Sequence, residues 1–201
     1  MPMHTFGPIK GEIKIITINS KALEGNMLGD PSTRQVAMYL PPNWKESGKE
    51  YPLFVDLVGY TGSGFAHTNW KPFAESIPQR VERLVDEGKM GEVIVALPDC
   101  FTILGGNQYI NSIAVGNWAD FLIQEMIPEI EESFPVLKGK NNRAVFGKSS
   151  GGYGAIVHGM LYGEHWGALA CHSGDMGFDS LFMGDFPKSV THLEKHGGIE
   201  G

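Results

Sequence analysis

The chain has 201 residues, 42% hydrophobic and 19% charged, which is enough apolar material for one sizeable core and, by length, for a single domain over 1–201. A formal net charge of −7 without a run of Lys or Arg argues against a phosphate-tracking surface, and so against nucleic acid or an anionic membrane as partner. Two cysteines, Cys100 and Cys171, are too few for a disulfide framework, and no apolar run reaches a leader core or the roughly 18 residues of a membrane span; the expected compartment is the reducing cytoplasm.

Residues 11–19 (GEIKIITIN) are rich in β-branched side chains and predict an edge strand, and 34–40 (RQVAMYL) alternate after a turn at 25–31 to give its antiparallel partner. Residues 53–58 (LFVDLV) are almost continuously apolar, the mark of a strand covered on both faces, and belong in the sheet centre. A glycine-rich loop leaves this strand at 59–69. Phe73, Ile77, Val81 and Leu84 then recur at helical spacing, predicting a helix over 73–90 that Pro78 kinks or delays and Gly88 ends. A second buried strand at 93–98 (VIVALP) completes a parallel crossover and leads into a loop over 99–112. Residues 117–134 carry Ala119, Ile123, Met126, Ile127, Ile130 and Phe134 on one helical stripe. After a strand at 143–146, a helix at 152–162 and a short strand at 167–171, only weak helical patterns remain, at 178–183 and 190–196.

The chemistry-bearing stretch is Phe146-Gly147-Lys148-Ser149-Ser150-Gly151-Gly152. It has the G-x-S-x-G spacing between a strand and a helix, the setting of a nucleophile elbow: a sharp turn lifts the serine Oγ above the sheet, and flanking glycines let the chain close. Spacing alone is weak evidence in a glycine-rich chain, and the order strand, turn, helix carries the reading. Gly147-Lys148-Ser149 also fits the end of a phosphate-binding loop, but that motif needs a glycine where Asn142 stands. An acyl-transfer serine further needs an oxyanion hole, for which the N–H groups of Ser150 and Tyr60 are the candidates, the latter in the loop after the third strand. His158, His165 and His172 recur every seven residues without a metal-ligand spacing, so no metal or other cofactor is expected, and Met160, Met176 and Met183 read as packing residues.

These residues resemble the putative-esterase family of α/β-hydrolases, the group with S-formylglutathione hydrolases (esterase D), feruloyl and enterochelin esterases and mycolyltransferases. The resemblance runs from about Arg34 to Asp175 on YPLFVDLVGYTGSG, VIVALPD with the NQYINS loop, GNWADFLIQEMIPEIEESFP, and RAVFGKSSGGYGA. It implies an α/β-hydrolase fold with a mostly parallel sheet and an antiparallel N-terminal pair. It also implies Ser149 as nucleophile, an oxyanion hole at Tyr60 and Ser150, and a loop with Tyr109 and Asn111 bordering a small-molecule ester or thioester. The family places its acid and histidine after later strands that this chain lacks. Asp175 is then the substitute acid, and His192 and His196 are distant histidines better read as solvated. Two readings follow: a serine esterase, C-terminally incomplete and completed by a second polypeptide or another copy, or a non-catalytic binding protein on the same fold.

Overall fold

The structure is a computed structural model that describes residues 7–198. Its centre is a six-stranded sheet in the order β1 (Glu12–Asn19), β2 (Thr33–Leu40), β4 (Ile94–Pro98), β3 (Leu53–Leu57), β7 (Arg143–Lys148), β8 (Ala168–His172). β2 pairs antiparallel with both β1 and β4, and the remaining pairings are parallel. A small hairpin, β5 (Asn111–Ser112) with β6 (Gly116–Asn117), interrupts the long loop after β4, an element the sequence pattern does not announce.

Alternation along the strands divides the core into two layers. Leu53, Val55, Leu57, Ile94 and Val145 join the larger cluster, with Trp118, Phe121, Leu122, Ile127, Ile130 and Ala155 packed against them. Tyr39, Val95 and Leu97 join the smaller one, covered by Val81 of α1 (Ile77–Asp86). α1 starts later than the apolar spacing predicts. Ser76 accepts from the Gln79 N–H at 3.3 Å and the Gln79 side chain returns the bond to the Ser76 N–H at 2.9 Å, which closes a capping box. Pro78 therefore sits in the first turn, where its missing N–H is no loss, while Phe73 lies before the helix and is 79% exposed. Gly88 leaves the helix at φ 67°, a conformation glycine adopts without strain.

The rod predicted over 117–134 is present as α2 (Trp118–Asp120) and α3 (Ile127–Ser133), joined without a break by a wider π turn, Phe121–Met126. Phe121, Leu122 and Ile123 are buried in succession along that wider turn.

Beyond β8 the packing changes. Strand β8 is the last of the sheet and is mostly exposed. Helices α5 (Phe178–Leu181) and α6 (Phe186–Lys195) contain no buried residue. Met160, Met176 and Met183, expected to pack, are exposed for the same reason: nothing lies over them among the described residues. Beside β8, on the α1 side, an apolar groove of about 360 Å3 is left open between α1 and the strands, with Phe54, Leu84, Phe146 and Leu169 in its walls.

Candidate active site

Strand β7 ends in a tight turn into α4 (Ser150–Leu161), and Ser149 is the hinge residue. Its backbone lies at φ 57°, ψ −122°, a strained region for a side chain with a Cβ. The turn is locked on both sides: the Ser149 N–H donates to the His172 carbonyl at 3.0 Å, and its own carbonyl accepts from the Tyr153 N–H at 2.9 Å. Gly151 is indispensable here, since a Cβ on it would lie 1.8 Å from the Leu57 carbonyl oxygen. The glycine spacing read from the sequence thus has a steric cause, the close passage of α4 over the end of β3.

The same approach brings the loop after β3 to the serine. A Cβ on Gly59 would sit 3.5 Å from the Ser149 Cβ. Val58, Gly59, Tyr60, Thr61, Gly62, His67, Lys148 and Ser149 together wall a cleft of about 370 Å3. Tyr60 is anchored from outside: its hydroxyl donates to the Leu104 carbonyl and its carbonyl accepts from the Gly106 N–H. Tyr60 thus lies in the loop wall of the cleft, and Ser150 opens α4 directly after Ser149.

Asp175 also reaches the serine, though not through an imidazole. Ser149 Oγ donates to Asp175 Oδ1 at 3.1 Å and Ser150 Oγ to Oδ2 at 2.8 Å, so one carboxylate holds both hydroxyls. No histidine among the described residues bonds Asp175. His192 lies in α6 and His196 just past it, both exposed and neither in the cleft.

Tyr109 and Asn111 do not wall this cleft. Tyr109 is 1% exposed, its hydroxyl donating to the Val58 carbonyl at 2.7 Å and its ring filling the space opposite Gly154. Burial raises its phenol pKa far above the ordinary value. It is a post beneath the loop rather than a wall of the pocket. Asn111 lies on β5, where its Oδ1 accepts from the Asp120 N–H at 3.1 Å. The residue of that loop that touches the site is Gln108, which donates to Ser150 Oγ at 3.3 Å. His158 is buried beneath α4. Because a carbonyl can only accept, its 2.8 Å contact with the Tyr109 oxygen requires an Nε2–H donor, and burial lowers its pKa.

One pair escaped the sequence reading. Asp56 on β3 is only 2% exposed at its side chain and bonds His67 Nδ1 through Oδ2, His67 itself being 26% exposed. A lone carboxylate inside the apolar run LFVDLV was the available signal, because a buried charge needs a partner. His67 and Lys148 also border a second cavity of about 440 Å3 on the α1 side, with Lys71, Glu75, Arg80 and His172 around it.

A family model described as "Putative esterase" matches residues 30–185. Esterase Rv1288 of Mycobacterium tuberculosis (strain ATCC 25618 / H37Rv) is 30% identical over 146 residues, which is 69% of this chain and 28% of that protein. Among solved structures, a ferulic acid esterase superposes with a TM-score of 0.67 at 22% identity, over 83% of this chain and 61% of its own. FphF, a fluorophosphonate-binding serine hydrolase of Staphylococcus aureus, superposes with a TM-score of 0.65 at 17% identity, over 88% and 61%. The fold they share with this chain is the α/β-hydrolase fold, and the chain spans less than two thirds of each relative's length.

Proposed function

The chain belongs to the putative-esterase family, and on that premise we propose that it hydrolyses a carboxylic ester or thioester through an acyl-enzyme on Ser149. The observation that carries the reading is the serine's placement, at φ 57° on a strand-to-helix turn and facing a cleft whose other wall is the Gly59–Tyr60 loop. In this reading the turn is a nucleophile elbow. The N–H groups of Tyr60 and Ser150 receive the charge that develops on the carbonyl oxygen, a contribution of about 3 to 4 kcal/mol for each well-placed donor. The axis of α4 adds to it, since its N-terminus carries partial positive charge beside the serine.

The match to the putative-esterase family favours a small-molecule ester substrate. The two free thiols, Cys100 and Cys171, fit the reducing cytoplasm. The outer edge of β8, with no further strand beside it among the described residues, and the apolar groove on the face next to it fit a partner that extends and covers the sheet, either a further polypeptide or another copy of the chain. The rival reading, a binding protein without turnover, draws on the Ser149–Asp175 bond, which occupies the hydroxyl at rest.

Turnover of a short p-nitrophenyl ester separates them. Ser149→Ala is expected to lower kcat/KM by at least about 10³-fold, with mass spectrometry placing a fluorophosphonate adduct on Ser149 of the unaltered protein. Equal turnover by the variant would remove Ser149 from the reaction.

A further inference from the structure

On its α1 face the sheet ends in charge. The side chains on that face run Phe54 then Asp56 along β3, Phe146 then Lys148 along β7, and Ala170 then His172 along β8, so three neighbouring parallel strands each change from apolar to titratable toward their carboxyl ends. The register sets the levels: Asp56 is opposite Phe146, and Lys148 is opposite His172. Lys71, before α1, and Arg80, in α1, border the same cavity of about 440 Å3. That volume lies within the roughly 300 to 1,000 Å3 of small-molecule sites.

The charges around this cavity do not cancel. Both carboxylates are already engaged: Asp56 Oδ2 bonds His67 Nδ1, while Glu75 accepts from Arg83 at 2.6 and 2.9 Å and has Arg80 Nε at 3.7 Å. Lys71 and Lys148 have no carboxylate within ion-pair distance among the described residues. Two uncompensated ammonium groups thus border one small space in a chain of formal net charge −7. Like charges at a shared cavity repel, and an anion placed between them turns that repulsion into attraction. The space also joins the reactive serine, because His67 and Lys148 wall both it and the cleft, and Lys148 directly precedes Ser149 in the chain.

We propose that this cavity receives a carboxylate carried by the substrate, with Lys71 and Lys148 as its cationic partners, so that the chain prefers carboxylate-bearing esters to neutral ones of equal size. The assignment rests on the esterase reading above and names the substrate class for it. An ammonium is a point charge on a flexible stem with three donors, which suits a carboxylate arriving on a chain, whereas the planar Arg80 guanidinium is turned to Glu75. The apolar walls at Ile77 and Phe146 exclude water from one side and strengthen the attraction. The carboxylate belongs to the acyl part or to the alcohol part of the ester, since both extend from the carbon that Ser149 attacks, and the recognition chemistry is the same.

The test measures kcat/KM for two matched pairs of esters. One pair places the charge on the acyl side, the p-nitrophenyl monoester of adipic acid against that of adipamic acid; the other places it on the alcohol side, the butyrate of glycolic acid against that of glycolamide. In one pair the carboxylate should be favoured by about 10-fold or more, the scale of a charge-assisted hydrogen bond, with the gain in KM and a decline as salt is raised. Lys71→Met and Lys148→Met keep the stem and remove the charge, and each should lower that ratio by about 3-fold. Lys140→Met, on the turn before β7 at the opposite end of the strand from Lys148, should leave the ratio unchanged and so separates a local site from net charge. Circular-dichroism melting confirms that each variant is folded, and Lys71→Met alone decides if Lys148→Met is not. A ratio near one in both pairs, one that survives the Lys71 and Lys148 substitutions, or one that falls equally in Lys140→Met overturns the anion site, while turnover of the neutral esters keeps the esterase reading. Absence of turnover of every ester overturns that reading and this assignment together.

Discussion

Strands β3 and β8 are both five residues long and mainly apolar, LFVDL and ALACH, yet they have opposite fates. Leu57 of β3 is completely buried between α4 and neighbouring strands, whereas Leu169 of β8 is 41% exposed at the end of the sheet. The difference lies in what surrounds each strand and not in its composition. β3 has strands on both edges, while β8 has one neighbour and an open groove beside it. The serine turn stands between them, with its loop wall on the finished side and Asp175 on the unfinished one.

Thiol reactivity should show the largest contrast. Cys100 is 2% exposed and burial, with the nearby Asp99 charge, pushes its thiol well above the ordinary pKa. Cys171 on β8 is only partly covered. Iodoacetamide followed by peptide mass spectrometry should modify Cys171 at least about 10³-fold faster, because Cys100 must wait for unfolding. Comparable rates would mean that the β3 side opens as easily as the β8 side.

Truncating one leucine on each strand sharpens the same point. Leu57→Ala should cost about 2 to 5 kcal/mol in urea unfolding through the cavity it leaves, and Leu169→Ala less than about 1 kcal/mol. A large loss at Leu169 would show that β8 is covered in solution, by a partner or a second copy.

The smallest effect concerns acid. His158 is buried neutral with its pKa held below the usual 6.5, so the unfolded chain takes up a proton first as pH falls. Stability is therefore full above about pH 6.5 and declines on acidification toward the folded value. His158→Gln should flatten that slope in melting curves between neutral and mildly acidic pH.

The strands and the serine turn were legible because continuous apolar runs and glycine spacing report burial and close passage directly. The start of α1 is only partly legible: Phe73 extends the helical spacing backward, Pro78 signals a delay, and the Ser76–Gln79 box marks the true beginning. The π turn at Phe121–Met126 leaves no readable trace, since the same apolar residues fit an ordinary helix until the packing selects the wider one. The family resemblance puts Tyr109 beside the substrate, whereas its backbone lies at φ 61° and its ring is buried beneath the loop. For Asp56 the need for a partner was readable; that the partner is His67 depends on how a single 3₁₀ turn settles on β4, which spacing does not encode.

The strained backbone at Ser149 has a consequence for how this chain can change over time. A glycine there would relieve a conformation that costs a side-chain-bearing residue about 1 to 3 kcal/mol, and it would delete the hydroxyl on which the proposed reaction depends. Selection for a sturdier molecule and selection for a reactive one thus pull residue 149 in opposite directions. A lineage released from the reaction has an easy first step toward becoming a more stable, inert relative.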